Sequence, residues 1–133
     1  MFQSQETLKN DKMEAIVIQR VYDNKKADGS YRVLVDKLWP RGTKKVDLEF
    51  DEWNKEITPS TELRKWFDHK SERFDQFTEL YKKELSSKES ELDRLREISK
   101  TKTVSLLYGA KNPKINHAII LKNILLKKYK CRN

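Results

Sequence analysis

Two side chains in this 133-residue chain are suited to moving a proton, Asp36 and His117. Histidine titrates near neutral pH and a neighbouring carboxylate raises its pKa, so the two together make a candidate acid–base pair. Each lies in a dense polar stretch. Asp36-Lys37-Leu38-Trp39-Pro40-Arg41-Gly42 is one. Tyr108-Gly109-Ala110-Lys111-Asn112, followed by Asn116 and His117, is the other. Arg32 or Arg41, with Lys111 and the unpaired N–H groups of a helix start, suits an anion such as phosphate, sulfate or carboxylate. Lys37, Trp39, Tyr108, Asn112 and Asn116 complete the candidate ligand-binding set. Every member also has a purely structural use. Asp36 pairs with Lys37 or Arg41, Trp39 plugs the core, Arg41 stacks on it, and His117 turns into helix packing. The functional reading rests on the convergence of two clusters rather than on any one residue.

That convergence depends on the elements beneath. Residues 14–22, with Ile16, Val17 and Ile18 inside, read as a first strand. Residues 31–38, with Val33 to Val35, read as a second, and residues 103–109 as a third. Asp28-Gly29 marks a turn between the first two strands. Their connection is too short for a crossover helix. They form either an antiparallel hairpin or a parallel pair joined by a compact loop with at most one helical turn. Pro40 ends the second strand and Gly42 permits a sharp redirection. A short helix is expected from Asp47, with Leu48, Trp53 and Ile57 as its apolar contacts. Thr58-Pro59 is expected to open the next as N-cap and first residue, with Leu63, Trp66 and Phe67 inward. Phe74, Phe77, Leu80, Tyr81 and Leu85 define a helix after Ser71, and Leu92, Leu95 and Ile98 another. Asn112-Pro113 is expected to open the last, with Ile115, Ala118, Ile119, Ile124 and Leu125 on its apolar face. Lys127, Lys128, Lys130 and Arg132 crowd its end, offsetting the helix dipole.

Strands alternating with helices predict an α/β fold: one small three-layer sandwich with a short, mostly parallel sheet and helices on both faces. Residues 1–12 read as a disordered tail and 13–133 as a single domain. In such sheets ligands bind beyond the carboxyl ends of the strands. If the second and third strands are parallel neighbours, the two polar clusters share one rim.

Composition narrows the function. Lys and Arg number 29 against 21 Asp and Glu, a net charge of +8. The two signs are interleaved, so a solvated surface is favoured over a polyanion site. The basic end after Leu126 leaves a nucleic-acid partner as the alternative. The single cysteine, Cys131, rules out a disulfide within the chain and fits a cytoplasmic location. No apolar run reaches membrane-spanning length, and residues 1–12 lack a signal core. With only His69 and His117 a His-rich metal site is out, and a mixed set of His117, Asp36 and His69 is the minor alternative. No Gly-rich phosphate loop and no framed Ser or Cys nucleophile occurs, and no cofactor is implied. Glu62 and Asp68 read as surface pairs. Trp53, Trp66 and the Phe74–Tyr81 aromatics sit at core spacing, which argues against a base-stacking platform. The expected partner is a small anionic ligand, on a monomer or weak homodimer.

The same residues carry a family resemblance. Arg20-Val21-Tyr22, Tyr31 through Gly42, Ile57-Thr58-Pro59-Ser60-Thr61-Glu62-Leu63-Arg64, Leu106-Leu107-Tyr108, Ala110-Lys111-Asn112 and Asn116-His117-Ala118 together resemble the YeaO-like family, a branch of the group of domains of unknown function numbered 488. The resemblance spans about residues 14–126 in order and spacing. It implies a small cytoplasmic bacterial α/β protein and brings no reaction with it. Related branches carry Cys and Glu after the last strand and a Cys-His pair at the next helix start. The corresponding positions here are Tyr108, Ala110, Asn116 and His117, so thiol chemistry does not transfer.

Overall fold

Short runs of β-branched and aliphatic residues pair into one fully parallel sheet. Strands β1 (Ile16–Arg20), β2 (Tyr31–Leu34), β3 (Glu52–Trp53) and β4 (Val104–Tyr108) lie in the order β1-β4-β2-β3. The structure is a computed structural model that describes residues 15–131. The tail expected at residues 1–12 lies outside the described residues, as do the side chains of Lys128, Lys130, Cys131 and Arg132. All five residues of β4 are buried, as a continuous apolar run in a central parallel strand requires. Its register sets Ile16 beside Val104 on one side and Leu34 beside Leu107 on the other. The first two strands are therefore parallel but not adjacent, because β4 lies between them. Their connection contains a single 3-10 turn, Val21–Asp23.

Among the described residues four helices follow the sheet's apolar pattern: α1 (Thr61–Phe67), α2 (Phe74–Leu85), α3 (Glu89–Ile98) and α4 (His117–Cys131). The class is the α/β one expected, but the two faces of the sheet are covered differently. Ile16, Val33, Val104 and Leu106 form one core with Phe67, Tyr81, Leu92 and Leu121 from all four helices. Leu34 and Leu107, on the opposite face, pack against Val21 and Leu48, with Trp39, Phe50 and Trp53 around them. Among the described residues, loops rather than helices cover that face. The connections β1–β2 and β2–β3 carry only 3-10 turns. Arg32 lies beneath them, 1% exposed. Its guanidinium donates to the carbonyls of Glu49 (2.7 Å) and Asn24 (2.6 Å) and to Gln19 Oε1 (3.2 Å). A buried Arg thereby satisfies loop carbonyls that no ladder reaches.

Three local expectations are corrected. The segment after Asp47 is not helical. A 3-10 turn, Lys45–Asp47, leads into extended chain, and the two-residue β3 pairs Glu52 with Val33 and Trp53 with Leu34. Leu48 and Phe50 turn inward while Glu49 and Asp51 are exposed, which is the period of a strand. Helix α1 starts two residues later than Thr58-Pro59 suggests. Ser60 is its N-cap, accepting from Leu63 N at 3.1 Å, while the Thr58 hydroxyl donates to Lys55 O. Likewise Asn116, not Asn112, caps α4, accepting from Ile119 N at 3.0 Å. Asn112 instead accepts from the amides of Lys114 and Ile115. Proline fixes φ and biases its predecessor toward extended backbone, so X-Pro marks the approach to a helix as readily as its first turn.

Candidate functional site

The chain leaves β2 toward the loop-covered face and leaves β4 toward the helical face. Divergence of neighbouring strands opens a crevice beyond their carboxyl ends. Its floor is stitched shut. Val35 N still donates to Leu107 O at 3.0 Å. One residue on, Asp36 Oδ2 accepts from Gly109 N at 2.8 Å. A Cβ on Gly109 would lie 2.9 Å from that oxygen, so glycine is what allows the approach. His117 closes the third side: its Nε2 is 2.6 Å from Val35 O and 3.5 Å from Asp36 Oδ1. A carbonyl only accepts, so Nε2 is the nitrogen that donates here. Behind the imidazole, Tyr81 stands edge-on at 6.2 Å and donates its hydroxyl to Ile57 O. Burial, with Glu84 and Asp36 nearby, pushes that phenol well above its ordinary range. Burial also pushes the Asp36 carboxyl up, against the opposing pull of His117, the Gly109 amide, His69 and Arg64.

Above this floor lies a cavity of about 290 Å³. Trp39, Pro59, Phe67 and Phe77 supply its apolar walls, and Lys37, Arg41 and Arg64 its cationic ones, with His69 beside them. Trp39 is held by its Nε1 bond to Thr43 O and by the rings of Phe50 and Trp53, with centroids 5.8 and 5.5 Å away. Phe67 and Phe77 stack at 4.1 Å. Arg64 Nε is buried and has no hydrogen-bond partner. After α1 the backbone passes through two successive left-handed residues, Asp68 (φ 49°) and His69 (φ 57°), and His69 lines the cavity. Left-handed non-glycine backbone costs about 1–2 kcal/mol per residue, and such outliers gather at functional sites.

Six of the ten candidate residues meet in this cavity: Asp36, Lys37, Trp39, Arg41, Asn116 and His117. The other four do not. Arg32 is the loop clamp. Tyr108 and Lys111 line a separate depression with Arg20 and Asp23. Asn112 is engaged by its own turn. The α4 start is also less open than expected, since Asn116 already accepts one of its amides. Among the described residues no three His, Cys, Asp or Glu side chains gather in a metal-binding group. No described helix is long and apolar enough to cross a membrane. Sequence reasoning missed Arg64, Phe67 and Phe77 as site residues and weighed His69 only as a metal ligand. The available signal was Arg64 and Phe67 at i and i+3, which puts a cation on the apolar side of α1.

Comparison with known proteins identifies the family. The chain is 52% identical over 106 residues to the uncharacterized protein YeaO of Escherichia coli (strain K12), covering 80% of this chain and 92% of that one. It is 36% identical over 108 residues to the uncharacterized proteins Mb3100c of Mycobacterium bovis and Rv3073c of Mycobacterium tuberculosis (strain H37Rv), covering 81% of this chain and 91% of each. No solved structure matches it significantly. The family model DUF488-N3i, described as the inactive DUF488-N3 subclade, matches residues 15–133. The chain is thus a YeaO-like member of the DUF488-N3i family.

Proposed function

We propose that this protein binds a small organic anion in the cavity beyond β2 and β4 and does not transform it. The observation that carries the reading is Arg64. Its Nε–H is buried without a hydrogen-bond partner, in a cavity whose lining includes Trp39, Phe67 and Phe77. A buried N–H left without an acceptor is costly, and an incoming anion supplies that acceptor. Lys37 and Arg41 add positive charge against the single carboxylate of Asp36.

Binding without turnover is supported from two sides. The family is described as an inactive subclade. Asp36 and His117 are also already engaged in joining the β2 end, the β4 end and the α4 start. Proton transfer by His117 would have to run through Nδ1. The two residues therefore act here as positioning groups that fix the cavity floor.

Thermal denaturation with a panel of carboxylates, phosphate and sulfate tests the reading. A ligand at a hundred times its Kd stabilises the native state by about 2.7 kcal/mol. Wild type should gain a clear rise in melting temperature with at least one anion, and Arg64→Met should lose it. A panel in which no anion stabilises wild type refutes the proposal.

A further inference from the structure

We infer that the ligand is an aromatic monocarboxylate of about the size of benzoate. This rests on the anion-binding reading and adds a chemical class to it. The cavity lies where the two cores meet. Phe67 and Phe77 belong to the core of the helical face, and Trp39 to the cluster under the loops. A ligand there has aromatic surface on both sides, which favours a flat apolar body. The volume of about 290 Å³ equals that of roughly ten waters at ~30 Å³ each, which is room for one substituted ring.

The charges select the headgroup. Arg64 offers a planar fork that matches a carboxylate with two parallel hydrogen bonds. Asp36 lies in the same cavity and repels a second negative charge, which disfavours a phosphate monoester carrying roughly −1.5 to −2. Two of the backbone amides beside the cavity are already taken. Asn116 takes an amide at the α4 start, and Gly109 N is committed to Asp36. His69 is exposed and also lines the cavity.

The test is calorimetric titration of wild type, Arg64→Lys and Arg64→Met with benzoate, acetate, benzyl alcohol, phenyl phosphate and inorganic phosphate. Melting curves confirm that each variant is folded. Benzoate should bind wild type best. Acetate and inorganic phosphate should bind at least about tenfold more weakly because they lack the ring, and benzyl alcohol because it lacks the charge. Arg64→Lys keeps the charge without the fork and should weaken benzoate about tenfold, and Arg64→Met should abolish its binding. If acetate or inorganic phosphate binds as tightly as benzoate and Arg64→Met removes it, the aromatic class is wrong and the anion reading stands. If phenyl phosphate matches benzoate, the choice of carboxylate is wrong. If benzyl alcohol matches benzoate, or nothing binds, the anion reading falls as well.

Discussion

Gly109→Ala tests the stitch at the cavity floor. The added Cβ would sit 2.9 Å from Asp36 Oδ2, where about 3.4 Å is ordinary contact. The carboxylate must retreat by about 0.5 Å, and its 2.8 Å bond from Gly109 N then stretches past the usual 2.7–3.2 Å. A hydrogen bond to a charged group contributes about 1.5–3 kcal/mol, so a loss of about 2 kcal/mol is expected. For a chain of this length that lowers the melting temperature by about 6–10 °C. The backbone itself adds no cost, because Gly109 is not among the positive-φ residues. The discriminating measurement is a double-mutant cycle read by urea denaturation. In an Asp36→Ala background the obstructing oxygen is gone, and the next neighbour, Tyr22 Cε2, lies at an ordinary 3.7 Å. Gly109→Ala should then be neutral or stabilising by about 0.4–1 kcal/mol through the unfolded chain. The expected coupling between the two sites is therefore about 2 kcal/mol or more. An equal cost of Gly109→Ala in both backgrounds would show that the glycine serves something other than this contact.

Other perturbations test other layers. Because burial raises the Asp36 carboxyl, the folded state holds that proton more tightly than the unfolded one, so its contribution favours folding at low pH and is lost as pH rises from about 4 through the folded value. Asp36→Asn keeps an acceptor for Gly109 N, so its stability relative to wild type should rise across that window; a constant difference in melting temperature from pH 4 to 8 contradicts the assignment. The opposite sign is expected at Asp28, whose carboxyl is held down at about 2 by Ser30 and Gln19: its stabilising contribution should be lost as pH falls from about 4 through 2, and Asp28→Asn should flatten acid unfolding there. Arg32→Met strands the carbonyls of Asn24 and Glu49 and should cost about 3 kcal/mol, with faster amide exchange confined first to residues 21–30 and 44–51. Ser60→Ala should cost about 1–2 kcal/mol because Ser60 caps α1 and also binds Glu84, whereas Thr58→Ala should cost less; urea midpoints in the reverse order would move the helix start back to Thr58.

The parts of the fold that read clearly from sequence are those whose signal is local. The stripe from Phe74 to Leu85 and the run Val104–Tyr108 have periods that depend only on their own residues. The two-residue β3 does not. It is a strand because Asp51 N donates to Arg32 O and Asn54 N to Leu34 O, a pairing with residues far back in the chain. The position of β4 between β1 and β2 is equally non-local. Half of the site was legible for the same reason. Asp36 and His117 fall beyond strand ends, where polar residues stand out against an apolar run. Phe67 and Phe77 sit on core stripes, and spacing cannot tell a core ring from one that also faces a cavity. Arg32 was misassigned because a cation inside a strand looks like a ligand group until the loops it clamps are in place.

The site owes its mixed character to the unequal covering of the sheet. If helices covered both faces, the crevice beyond β2 and β4 would be flanked by two helix starts, and backbone amides would dominate it. Here one flank is a loop. It brings Trp39 and Arg41 to the cavity from the face held down by Arg32, while α1 and its left-handed turn bring Phe67, Arg64 and His69 from the other. Recognition then falls to side chains from two separately packed cores rather than to backbone dipoles. Such an arrangement suits an amphipathic anion better than a compact phosphate. The stitch from Asp36 to Gly109 and His117 matters because it fixes the spacing between those cores: without it the two walls have no common floor.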